Sequence, residues 1–243
     1  MRIATSVLLV LFAVLFAASF ALGQKTYNNI DDLQSGWGSC STCAGGANPA
    51  DVWWMAQNQS TPSLDGASTQ FYISASKPYA DVLFYNKLGP NNSVSQFKWD
   101  FWFRVDSASQ NAEALEFDIF QFIVPTEYMF GSQCTYSTGK WDVWNAGSHQ
   151  WVPVAVPCPR FTANVWHHII WQVHRTKNKM MHYDSLTIDG TTYNVGVTEP
   201  SGALPSGWSD MMGVQWQLDG PGNPNLLPIS FNEWIDKASL TVR

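Results

Sequence analysis

The residues of this chain best suited to chemistry lie in Ala114–Ile123, A-L-E-F-D-I-F-Q-F-I, where Glu116 and Asp118 stand two positions apart. In a β-strand successive side chains point to opposite faces, so Glu116, Asp118 and Phe120 share one face while Leu115, Phe117 and Ile119 share the other. The apolar face belongs in a core. A carboxylate is seldom fully buried without a partner, and two of them roughly 7 Å apart along one strand belong in solvent or on the floor of a cleft. Paired carboxyls in a cleft can cleave a glycosidic bond. Retention of configuration needs a second carboxyl roughly 5.5 Å away, and inversion one at roughly 6.5–9.5 Å. Asp118 is one candidate for it, and Asp100, Asp219 and Glu233 are others on neighbouring segments. In the competing reading Glu116 and Asp118 merely pair with Arg104 or bond to Gln215 and Gln217 across a polar sheet face.

These residues need strands to position them. Gln96–Val105 alternates Phe97, Trp99, Phe101, Phe103 and Val105 with Lys98, Asp100, Trp102 and Arg104, as a half-buried strand does. Only residues 106–112 separate it from the acidic run Glu113–Ile123, which predicts an antiparallel meander with Asp100, Trp102 or Arg104 beside Glu116 and Asp118. Trp166–Arg175 turns Ile169, Trp171 and Val173 inward, with His168, Gln172 and His174 outward. Residues 212–219 place Gln215, Gln217 and Asp219 on one face. Asp189-Gly190, between two strand-like runs, is the strongest hairpin signal. About a dozen short strands, with no helical period sustained over three turns, predict an all-β fold: a two-sheet antiparallel β-sandwich, or jelly roll, with a concave polar face. On that face Glu116 and Asp118 are expected to meet Trp102, Gln172, Gln215 and Gln217, a mixture of flat rings and planar amides suited to sugar.

Composition sets limits on function. The chain has 243 residues, 45% hydrophobic and 13% charged, enough for one packed domain and far from a disordered composition. Its formal charge is −6 without a dense Lys/Arg cluster, which argues against a nucleic-acid partner and favours a neutral or weakly charged one. Residues 1–23 read as a signal peptide: Arg2, an apolar run, then Ala21-Leu22-Gly23 with small residues at the two recognition positions. Residues 24–243 then form a single domain, expected to be secreted or periplasmic, monomeric and free of the membrane after cleavage. Cys40, Cys43, Cys134 and Cys158 are even in number in an exported chain, and the pairs Cys40–Cys43 and Cys134–Cys158 are favoured among three pairings. The histidines lack a recognised ligand spacing, so no cofactor and no catalytic metal are expected; a structural calcium near Asp236 or Asp31 stays open.

The E-F-D-I-F-Q run at Glu116–Gln121 resembles the E-x-D-x-x-E strand of the family 7 glycoside hydrolases, within the concanavalin A-like lectin/glucanase superfamily. Trp166-His167-His168 is similar to the W-H-H strand opening of laminin G-like jelly rolls. The resemblance implies a sandwich whose concave sheet binds a polysaccharide or oligosaccharide, with Glu116 as nucleophile and Asp118 as the carboxylate that tunes it. Gln121 occupies the acid/base position, where an amide cannot donate and retrieve a proton. Three functions follow: a secreted glycoside hydrolase acting through Glu116, a lectin-like module using the same face, and a polysaccharide lyase. The lyase rests on Gln172-Val173-His174, which resembles the Q-[IV]-H strand of family 7 polysaccharide lyases. Asp100, Trp102, Arg104, Gln172, His174, Gln215 and Gln217 are the expected substrate-binding residues.

Overall fold

A computed structural model describes residues 23–32, 36–43 and 48–243. The signal segment lies outside the described residues, except for Gly23. Strand accounts for 62% of the structure and helix for 3%, in two antiparallel sheets packed face to face. The first sheet runs β15 (Thr191–Pro200), β14 (Met180–Ile188), β13 (Trp166–Arg175), β7 (Gln96–Val105), β18 (Ile229–Val242), β5 (Ser68–Ala75) and β4 (Val52–Gln59), with β1 (Lys25–Tyr27) paired to β18. The second runs β12 (Gln150–Pro157), β11 (Lys140–Asn145), β10 (Ser132–Thr135), β8 (Ala114–Ile123), β17 (Met211–Asp219), β6 (Ala80–Gly89) and β2 (Trp37–Cys40). β9 (Thr126–Phe130) also pairs with β8 and carries β16 (Gly202–Ala203), while β3 (Asn48–Pro49) lies parallel to β6.

Alternation dictates the core. Phe97, Trp99, Phe101 and Phe103 from β7 and Ile169, Trp171 and Val173 from β13 meet Leu115, Phe117 and Ile119 of β8 and Val214 and Trp216 of β17, all buried between the sheets. Phe117 stands edge-on to Phe101, Trp99 and Trp171 across the gap and stacks against Trp216 on the neighbouring strand.

The expected meander between β7 and β8 does not form. β7 lies between β13 and β18 in the first sheet, and β8 pairs with β9, β10 and β17 in the second. Residues 106–112 cross from one sheet to the other. Asp106 turns the chain by accepting the amides of Ala108 and Ser109, both at 2.9 Å, and it ties the turn to β18 through the amide of Asn232 at 2.7 Å. Two strands that each carry one apolar face can satisfy those faces by opposing each other across a core, so pairing side by side is not required. The Asp189-Gly190 hairpin forms as expected, with φ of 46° and 82° at its two central residues.

Both expected disulfides are present, Cys40–Cys43 and Cys134–Cys158. The second joins β10 to the residue after β12 and closes a loop with a sequence separation of 24. Replacing both of its cysteines by alanine should lower unfolding stability by about 3 kcal/mol, the loop-closure entropy returned to the unfolded chain. The urea midpoint measures this, and an unchanged midpoint would show that the bond contributes nothing.

Candidate functional site

β8 runs through the middle of the second sheet and turns Glu116 and Asp118 to its outer face. The ladders build the floor in rows: Gln133, Glu116, Gln217 and Leu83 in one, Asp118, Gln215 and Tyr85 in the next, then Phe120, Gly213 and Lys87. Gly213 lets the Phe120 ring lie flat over β17, because a Cβ there would stand 2.5 Å from that ring and 2.0 Å from the Asn86 carbonyl oxygen. The walls are Trp144 and Trp151 of the β11–β12 hairpin, ring centroids 5.1 Å apart, Glu127 and Met129 of β9, and the half-exposed Trp208. Together they enclose a groove of about 600 Å³. Glu116, Trp151 and Gln217 also line an acidic recess of about 160 Å³ with Asp81, Glu113 and Asp219. Leu83, Trp208 and Gln215 lead the other way, into an apolar recess of about 360 Å³ with Tyr85, Phe120 and Phe122. The groove therefore crosses several strands and has unlike ends.

The carboxyls on this floor are enclosed: Glu116 is 7% exposed and Asp118 4%. Asp118 Oδ1 accepts the Ser132 amide at 3.1 Å, and Asp219 Oδ1 accepts Gln217 Nε2 at 2.8 Å. The Glu116 and Asp219 carboxyls are close enough that each acts on the other's ionisation. Burial, followed by the charges of Asp219, Asp118 and Asp81, pushes Glu116 far above the usual carboxyl range. Burial likewise pushes Asp118 up to about 8 against the pull of the Ser132 amide, with the Asp219 charge adding to the rise. Asp219 rises to about 7 through burial, opposed by Gln217 and reinforced by Asp81 and Glu113. Glu127 is raised by burial, against the nearby His149. Among the described residues, no Lys or Arg lies within ion-pair distance of Glu116, Asp118, Asp219 or Glu127.

Of the residues singled out in the sequence, Glu116, Asp118, Gln215 and Gln217 come together, with Asp219 beside them. The others do not join them. Asp100, Trp102, Arg104, Gln172 and His174 lie on the outer face of the first sheet, on the far side of the core, because β7 and β13 belong to that sheet. Asp100 binds Lys98 at 2.8 Å and His168 at 2.7 Å; burial works against its ionisation, yet these partners hold it below the usual range. Trp102 stacks on His168 at 4.7 Å. Arg104 reaches the Asn164 carbonyl and side chain. Gln172 donates to Ser185 Oγ at 2.9 Å, and His174 Nδ1 meets Asp184 at 2.9 Å, at the edge of a separate recess of about 530 Å³.

Gln121 is also away from the groove. Three positions beyond Asp118 on an unbroken ladder, it points to the opposite face, is fully buried, and donates to the Asn91 and Val94 carbonyl oxygens at 2.8 and 3.0 Å. Glu233 faces the sandwich interior and accepts Trp216 Nε1 at 3.0 Å; burial raises it well above its ordinary range. Glu127, Trp144, His149, Trp151 and Trp208 were not anticipated. The one signal for any of them was the alternation placing Asp142 and Trp144 on a common face of residues 140–145. Near Asp31 and Asp236, the Asp31 carboxylate accepts the amides of Lys237 and Ala238, and Asp236 accepts Ser63 and Leu64. Among the described residues no group of three or more His, Cys, Asp or Glu is arranged to hold a metal, and no helix is long and apolar enough to cross a membrane.

The sequence matches no protein-family model and no curated protein. Solved structures do resemble the fold. The cellulose induced protein Cip1 superposes with a TM-score of 0.53 at 11% identity, over 86% of this chain and 95% of that one. Arcelin-5, a lectin-like defense protein from Phaseolus vulgaris, gives a TM-score of 0.48 at 10% identity, over 90% of this chain and 98% of that one. At such identity the Cip1 likeness is one of fold.

The raised carboxyls link stability to pH. A group whose pKa is higher in the folded state contributes stability that is complete below its unfolded value and lost as pH rises through the folded one. For Asp118 and Asp219 the loss therefore extends up to about 8 and about 7. The melting temperature should fall as pH is raised from about 5 to about 8, each such group removing at most about 1.4 kcal/mol per pH unit. Glu116→Gln and Asp118→Asn should each flatten that dependence and melt higher than wild type at the alkaline end. A pH-independent melting temperature would contradict the assignment.

Proposed function

We propose that the protein binds a polysaccharide without negative charge along the groove of its second sheet and hydrolyses it there. The observation that carries this reading is the pair of enclosed carboxyls, Glu116 and Asp118, on a groove floor walled by Trp144, Trp151 and Trp208. Indole faces cover the apolar C–H faces of sugar rings, and Gln133, Gln215 and Gln217 offer planar amides to hydroxyls. The carboxyls supply the chemistry. Glu116 was expected to be the nucleophile, but burial and three flanking carboxylates favour its neutral form. It fits better as the proton donor to the departing glycosidic oxygen. Asp118, whose ionised form the Ser132 amide favours, is the group that, once deprotonated, attacks the anomeric carbon or activates water. The two disulfides fit an exported protein in an oxidising compartment.

A lectin-like module is the second reading, favoured by the position of Gln121. The third member of the resembled motif faces away from the groove, so the route that uses a carboxyl at that place has no equivalent on this floor.

Glu116→Gln should abolish release of reducing ends from a cleaved glycan by about a thousandfold or more while leaving its affinity within about threefold, since shape is kept and the proton lost. Trp151→Ala should weaken binding by about 1–3 kcal/mol in either reading. Binding without any turnover in the wild type would leave the lectin reading. No binding to any glucan, xylan, mannan, galactan or amino-sugar polymer would remove both.

A further inference from the structure

The groove gathers more carboxyls than the described residues of the chain supply cationic partners for. Glu116 and Asp118 occupy successive rows of the floor, Asp219 lies beside Glu116, and Glu127 stands on the wall. None of the four has a Lys or Arg within ion-pair distance among the described residues. Glu116, 7% exposed on the groove floor, accepts no N–H donor from the described residues. A buried carboxylate needs a counter-charge or hydrogen-bond donors, and failing those it takes up a proton. The first sheet is built differently, with Asp100 beside Lys98 and His168, and Asp184 beside His174. Carboxyls without a Lys or Arg partner among the described residues also occur at Asp31 and Asp236, where backbone amides and Ser63 supply hydrogen-bond donors instead.

We infer that the polymer received by this groove carries free amino groups, its ammonium ions meeting the carboxylates of Asp118, Asp219 and Glu127. This rests on the polysaccharide reading and narrows its substrate class to glycans built from amino sugars. The same walls suit such a chain, since an ammonium ion over the face of Trp144 or Trp151 gains a cation–π attraction in addition to the carboxylate contact. A chain of uncharged sugars would cover these carboxyls and leave them without a partner. A uronate chain would be repelled. At the apolar end Phe120, Phe122 and Tyr85 replace the acids and Lys87 lies over the Tyr85 ring, so an ammonium group is disfavoured there. The groove therefore also discriminates along its length, with the most densely aminated part of the polymer toward Asp219.

The test is calorimetric titration of the Glu116→Gln protein, which holds the ligand without cleaving it. The titrants are three β-1,4-linked hexamers, of glucosamine, of N-acetylglucosamine and of glucose, near neutral pH at about 0.05 M and about 0.5 M salt. At low salt the glucosamine hexamer should bind about tenfold or more tightly than either uncharged one. High salt should reduce that preference, chiefly at the less buried Glu127, because screening reaches exposed ammonium–carboxylate contacts more than enclosed ones. Adding Glu127→Gln should cut the preference by a further factor of about three. Equal or tighter binding of an uncharged hexamer at low salt, or a preference that salt leaves intact, would overturn the amino-sugar assignment while keeping the polysaccharide reading. Failure of all three hexamers to bind a folded protein would overturn both.

Discussion

The alternation of β8 around Phe117 is the constraint on which the rest of this molecule depends. Phe117 is fully buried and touches Trp99, Phe101 and Trp171 of the opposing sheet as well as Trp141 and Trp216 of its own. Several aromatic pairs meeting on one ring, each worth about 0.5–1.5 kcal/mol beyond the area they bury, make a slip of this strand by one residue very costly. Such a slip would bring Glu116 and Asp118 into a dry aromatic core. With Phe117 fixed, both carboxyls must face the groove, and the ladder to β17 then sets Gln217 and Gln215 opposite them.

The groove carries a standing electrostatic load. Burial raises three carboxyls of one sheet face above their ordinary range, their mutual charge adds to the rise, and none has a Lys or Arg partner among the described residues. The fold tolerates this because the core beneath is extensive and because partial relief is local: the Ser132 amide bonds to Asp118 and the Gln217 amide to Asp219. Such an arrangement trades stability at neutral pH for groups able to move protons or to receive a cation, a pattern characteristic of functional sites.

The opposite face of the sandwich shows what a polar sheet surface looks like when its groups are satisfied. Asp100, His168 and Lys98 form one connected set, His174 and Asp184 another, and Arg104 is held by Asn164. These are the residues whose types drew attention in the sequence, and most of their hydrogen-bonding capacity is spent within the sheet. Residue type alone does not separate the two faces. What differs is the balance of charge and the presence of walls, and the walls of the groove come from the hairpin of Trp144 and Trp151 and from the segment bearing Trp208.

The sequence by itself determined the all-β class, the Asp189-Gly190 hairpin and, strand by strand, which residues share a face, and it favoured, among three pairings, the two disulfides that form. These features are local: they follow from the two-residue period of a strand, from turn chemistry and from cysteine number. The same period puts Gln121 opposite Glu116 and Asp118, so its departure from the groove was already written in the spacing and was obscured by a motif resemblance. Only the tertiary structure decided which faces belong to the same sheet. Gln96–Val105 and Ala114–Ile123 each present one apolar and one polar side, and that pattern is equally compatible with strands lying side by side and with strands opposed across a core. The choice was made by long-range pairing, β7 with β13 and β18, β8 with β10 and β17, between segments far apart in the chain. Partners at such separations are selected by how all the strands pack together, and no short stretch of sequence encodes that outcome.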